Sequence, residues 1–127
     1  MTTPTDREAM DADLVASGRF ARIEMRGRQS GLPRSVTVGF VEDTGGPESA
    51  LLVAAGAADA DWAENLLADP ACRVRIADRS FDALAELLEG ADHARAVRES
   101  ILRYGTPAEG LGHGPSFRLR PIEEGKP

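Results

Sequence analysis

Residues 20–41 read FARIEMRGRQSGLPRSVTVGFV, and the spacing of apolar side chains in this stretch decides the fold. In Phe20–Arg26, Ala21, Ile23 and Met25 alternate with Arg22, Glu24 and Arg26. That period of two belongs to a strand with one buried face. Gly27 to Arg34 holds two glycines and Pro33, a turn composition. Ser35–Val41 alternates again, with Val36, Val38 and Phe40 opposed to Ser35, Thr37 and Gly39. Two half-buried strands around a short turn predict an antiparallel hairpin.

Working outward, Leu51–Ala55 is a short, wholly apolar strand after a turn rich in Gly and Pro. Asp61 stands three residues before Glu64, the spacing of a capping box, and Trp62, Leu66 and Leu67 follow at helical intervals up to Pro70. Arg73–Ile76 alternates as a strand beside Cys72, which reads as a buried, inert thiol. Ser80–Leu88 fits a helix or a strand by period, and its local propensity leans towards helix. Asp92–Tyr104 reads as a helix with Ala94, Val97, Ile101 and Tyr104 on its packing face. After a Gly-rich loop, Phe117–Ile122 closes the chain as a strand. Many short strands with two inserted helices predict a mainly β protein, a small barrel with helices outside it.

The whole chain has 127 residues, the size of one domain. We expect residues 1–16 to be a flexible or helical N-terminal segment, 17–122 the barrel domain and 123–127 a tail. The net charge of −6 argues against nucleic acid as a partner, since such binding rests on surplus Lys and Arg. A single cysteine excludes an internal disulfide and a Cys-rich zinc site. No apolar run is long enough to span a bilayer and no signal-peptide core follows Met1, so a cytoplasmic protein is expected.

The charge is unevenly placed. Arg19, Arg22, Arg26, Arg28 and Arg34 face the single acid Glu24 between residues 17 and 41. Arginine's planar fork suits phosphate and carboxylate, so this basic island suggests a site for a discrete anion. The turn itself is suited to the task. Glycine frees backbone N–H groups to turn outward at Gly27 and Gly31, Ser30 adds a hydroxyl, and Arg28 and Arg34 bracket them. The pattern is neither a P-loop nor a dinucleotide fingerprint.

Two motifs in order, Gly-Arg-x-Ser-Gly-x-x-Arg at 27–34 and Trp-x-x-Asn-Leu-x-x-x-Pro at 62–70, make the reading specific. With Val36–Val41, Leu52–Ala55 and Val74–Ile76 between and after them, the chain resembles the deazaflavin-dependent nitroreductases, which use coenzyme F-420. The resemblance runs over about residues 17 to 122. It implies a six-stranded split β-barrel of the FMN-binding type, and it turns Ser80–Leu88 into a strand. It further implies that Arg28 and Arg34 meet the coenzyme's acidic tail of phosphate and glutamates, that Ser30 and Gly31 form the turn between them, and that Arg26 is a further cofactor-binding residue. Val36, Thr37, Ala54, Ala55, Gly56, Trp62 and Asn65 would line the remainder of the cofactor site.

The implied activity is hydride transfer from reduced deazaflavin to a small planar, electron-poor acceptor: a quinone, enone or nitroaromatic. Such chemistry needs stacking and exclusion of water more than acid–base groups. Tyr104 and His113 are the candidates for a proton donor, and no metal is expected. The loop Gly56–Asp59 departs from the family by lacking a base and carrying an acid. An FMN-dependent oxidoreductase and a non-catalytic cofactor carrier or interaction module are the alternatives. Related barrels pair across the cofactor site, so a homodimer is compatible with the reading.

Overall fold

The computed structural model describes residues 13–43, 50–56, 60–105 and 114–122. Seven strands form one sheet: β1 (Phe20–Arg26), β2 (Pro33–Gly39), β3 (Val41–Asp43), β4 (Ala50–Ala54), β5 (Ala71–Ile76), β6 (Arg79–Leu88) and β7 (Ser116–Pro121). Two helices, α1 (Asp61–Ala68) and α2 (Gly90–Tyr104), are inserted between them. Residues 13–16 add one helical turn; the rest of the expected N-terminal segment and the tail after 122 lie outside the described residues. The spatial order is β2-β1-β5-β6-β7-β4-β3, and every pairing is antiparallel.

The predicted hairpin is present, with Phe20 opposite Gly39 and Arg26 opposite Pro33. Its second strand does not run unbroken to Val41. Phe40 interrupts it, so β2 stays on β1 while β3 moves to β4. The two edge strands of the sheet are therefore consecutive in the chain, one residue apart. Taken as a single bent strand, β2 and β3 turn the seven segments into the expected six, and the bend curls the sheet into a split barrel. Tyr104 holds the break: its hydroxyl accepts the Phe40 N–H at 2.9 Å and contacts the Phe40 carbonyl at 3.0 Å.

Alternation fixes what fills the barrel. Ala21, Ile23 and Met25 of β1, Val74 and Ile76 of β5, and Phe117 and Leu119 of β7 join Leu51 and Val53 in the main core. Leu52 points the other way, into a second cluster with Val41, Leu88 and Ala96 beneath α2. β4 is thus buried on both faces, which is why Leu51–Ala55 carries no polar residue. β6 confirms the strand for Ser80–Leu88. Pairing on both sides, with β5 and β7, overrides its local helical leaning.

The packing face of α2 differs from expectation. Ala96 and Ser100 are its buried residues, whereas Ala94 is exposed and Val97 and Ile101 are half-buried. Small side chains let the helix lie close on the sheet, and the larger apolar ones flank the contact. The capping box also differs. Ala60 is the N-cap of α1, with no side-chain cap bond. The carboxylates of Asp61 and Glu64 go instead to Arg28.

Candidate functional site

The turn joining β1 to β2 is closed by its own backbone. Gly27 donates to the Leu32 carbonyl at 2.8 Å, and Gly31 donates to that of Gly27 at 2.9 Å. Gly31 has φ +72°, a conformation that glycine adopts without strain. The Ser30 hydroxyl accepts the Leu32 N–H at 3.2 Å, which leaves its own proton free to donate outward.

Against this turn lies the first half of α1, and between them is a cavity of about 380 Å³. Met25, Val36 and Trp62 give it apolar wall; Ser30, Gln29, Ser35 and Arg34 give it donors. Trp62 also packs on Phe117 with ring centroids 5.9 Å apart, so one indole anchors the helix and lines the cavity. Among the described residues the Arg34 guanidinium has no ion-pair or hydrogen-bond partner, and it is the uncommitted cation of the cavity.

Arg28 is differently placed. Its Nη1 donates to Asn65 Oδ1 at 2.8 Å and to the Asp61 carbonyl at 3.3 Å. Its Nη2 meets Glu64 Oε2 at 2.8 Å and Asp61 Oδ1 at 3.2 Å. The backbone N–H of Arg28 adds a bond to the same Asn65 oxygen at 3.1 Å. Asn65, 6% exposed, therefore fastens the turn to α1. Sequence spacing gave no signal for this clamp, because its partners lie 33 to 37 residues apart.

Of the expected cofactor residues, Arg28, Ser30, Arg34, Val36, Trp62 and Asn65 line this one cavity, along with Met25, Gln29, Ser35 and Asp61. Arg26 and Gly31 line a separate groove near Cys72 instead. Thr37 pairs with Arg22 on the opposite face of β2 from Val36. Ala54 and Ala55 are buried, and neither they nor the exposed Gly56 are among the cavity's lining residues. The Tyr104 hydroxyl is engaged with Phe40 and, at 2.7 Å, with the carbonyl of Arg19. His113 lies outside the described residues. Cys72 is buried, and burial, aided by Asp82 and Asp69, pushes its thiol from 9.0 up to about 11. It is the inert thiol expected. Among the described residues no helix is long and apolar enough to cross a membrane.

Comparison with curated proteins finds no match. Solved structures share the fold at low identity. The heme storage protein HutZ from Vibrio cholerae has a TM-score of 0.65 and 19% identity, over 91% of this chain and 90% of that one. An F420-H2 dependent reductase, FDR-A, has a TM-score of 0.64 and 23% identity, over 80% and 93%. A structure described as a domain-swapped dimer has a TM-score of 0.62 and 23% identity, over 89% and 95%. A family model matches residues 12–107, a span that holds the hairpin, its turn, the Arg28 clamp and both helices. By that match the chain belongs to the F420H(2)-dependent quinone reductase family.

Proposed function

We propose that the cavity between the hairpin turn and α1 holds coenzyme F-420, and that the chain reduces a small planar acceptor beside it. Family membership carries oxidoreductase chemistry with this coenzyme, and gives no support to FMN. The observation that carries the site assignment is the meeting, in one cavity, of apolar Met25, Val36 and Trp62 with Arg34 and Ser30. A flat ring system fits the first set; an anionic tail fits the second. When bound, the reduced coenzyme supplies a hydride, two electrons together, to an electron-poor acceptor.

Each residue then has a task. Val36 and Trp62 cover the ring and keep water from it. Arg34 and Ser30 hold the anionic end. Asn65 and Arg28 keep the turn against α1 so that these groups stay in place. A quinone is the leading acceptor, with enones and nitroaromatics in the same class. Proton supply to the product falls to solvent or to His113, since the Tyr104 hydroxyl is already engaged. A cytoplasmic, homodimeric protein belongs to the same reading, and light scattering reads the assembly.

Titration of purified protein with F-420, FMN and heme, each followed by its own optical signal, tests the assignment. Saturable binding of F-420 alone is expected. Arg34→Ala should weaken it by about 1–3 kcal/mol, the range for a charge-assisted hydrogen bond, with an unchanged melting temperature. Equal affinity in the variant would put the anionic end elsewhere. Oxidation of reduced F-420 by a panel of quinones and nitro compounds then ranks the acceptors.

A further inference from the structure

We infer that Asp61 and Glu64 set the charge selectivity of the cavity: by cancelling Arg28 they leave it to recognise one phosphate-like charge of the coenzyme, and the further carboxylates of its tail add no affinity there. The inference rests on the cofactor reading above and adds to it which part of the ligand is recognised. Two arginines border the cavity, Arg28 and Arg34. Counting arginines alone would make the site suited to a chain of negative charges.

The geometry removes one of them. Both terminal nitrogens of Arg28 are engaged, with Glu64 at 2.8 Å, Asp61 at 3.2 Å and the Asn65 amide oxygen at 2.8 Å. Asp61 itself lines the cavity and its side chain is 87% exposed, so its carboxylate faces whatever approaches along that wall. Two carboxylates against two guanidiniums leave the cavity and its rim electrically neutral. A single anionic group can still take Arg34 and the free proton of Ser30. Further carboxylates on the ligand would meet Asp61 before any uncommitted cation of the cavity, and like charges at close range repel. The Asn65 bonds, which need no charge on α1, hold the turn whether or not the two acids are ionised.

The test compares three probes by fluorescence titration at low and moderate salt: a deazaflavin with a neutral ribityl chain, its monophosphate, and F-420 with several glutamates. For the native chain, the monophosphate should bind at least tenfold tighter than the neutral compound. Added glutamates should change affinity less than threefold. In Asp61→Asn/Glu64→Gln, the glutamate-bearing coenzyme should gain at least tenfold and show a steeper salt dependence, while the neutral compound is unchanged. Glu64→Gln alone, which leaves Asp61 and Asn65 on Arg28, should give part of that gain and guards against a folding defect in the double variant. Tenfold or greater tightening by glutamates in the native chain overturns the inference, as does a double variant indifferent to them, with monophosphate binding intact in either case. Failure of all three probes to bind the native chain would instead overturn the cofactor reading itself, and the inference with it.

Discussion

The Tyr104 side chain shows how a residue can be read for chemistry and serve architecture. Its hydroxyl joins the Phe40 N–H, the Phe40 carbonyl and the Arg19 carbonyl, and its ring lies 5.2 Å from that of Phe20. Tyr104→Phe keeps the ring and deletes these bonds, leaving the Phe40 N–H without its partner. A loss of about 1–3 kcal/mol in unfolding free energy is expected, with quinone turnover per folded molecule unchanged. A drop in turnover at full stability would restore the proton-donor role. Cys72 gives a second prediction at this scale. Its thiol is raised from 9.0 to about 11, so folding favours the protonated form. That contribution is complete below pH 9 and is lost as pH rises through 11. Stability should fall by about 2–3 kcal/mol across that window, and Cys72→Ala should flatten the slope of urea midpoint against pH. Residue types were legible in the sequence at the turn, where Gly, Ser and Arg carry their own local chemistry. The commitment of Arg28 to α1 was not, because an ion pair 33 residues apart leaves no local pattern. Asp61 and Glu64 matched a capping box for the same reason: their spacing is local, their partner is distant.

At the scale of elements, strands with one buried face were read to within two residues at either end. β1 is Phe20–Arg26 as the alternation predicts, since Ile23 is fully buried and its neighbours Arg22 and Glu24 are exposed. Where two periods competed, in Ser80–Leu88, sequence alone could not choose, and pairing with β5 and β7 decided it. The face of α2 was misread because the contact uses Ala96 and Ser100, and small or polar residues add little to an apolar stripe. The break between β2 and β3 had no apolar signature either; it depends on a tyrosine 64 residues away. That break gives the element-scale prediction. A Cβ on Gly39 would lie 2.8 Å from the Tyr104 ring and 3.0 Å from the carbon bearing its hydroxyl. Gly39→Ala should therefore cost about 1–3 kcal/mol through overpacking. Adding Tyr104→Phe should give no relief, because the ring remains. Adding Tyr104→Ala should recover part of the overpacking term, and a double-mutant cycle in urea reads the difference.

For the whole molecule, closure of the barrel rests on how β3 is held. It is three residues long, lies at a sheet edge and pairs with β4 alone. So short a ladder needs another tie, and Asp43 at its end supplies one. This buried carboxylate receives Arg118 Nε of β7 at 2.7 Å and Arg95 Nη2 of α2 at 3.2 Å. Arg118 continues to Glu86 of β6, whose carboxyl Arg120 also binds and lowers below its ordinary range. One strand end, two further strands and a helix thus share a single network. Asp43→Asn keeps the shape but leaves Arg118, 15% exposed, and Arg95 facing a neutral group. Breaking a buried ion pair from one side costs about 3–5 kcal/mol, and the partial exposure of Arg95 places this case at the lower end. The damage should be local before it is global. Amide exchange at Val41 and Leu52 should speed up first, because they face each other in the β3–β4 ladder. Exchange at Ile23 and Val38, in the β1–β2 hairpin, should keep pace only with global unfolding. Since β2 and β3 are consecutive through Phe40, opening β3 would release one end of the barrel seam while the cavity-bearing hairpin stays intact. Binding of F-420 should then survive Asp43→Asn at temperatures below the new transition. Parallel acceleration in both ladders, with loss of binding, would mean that the barrel opens as one cooperative unit.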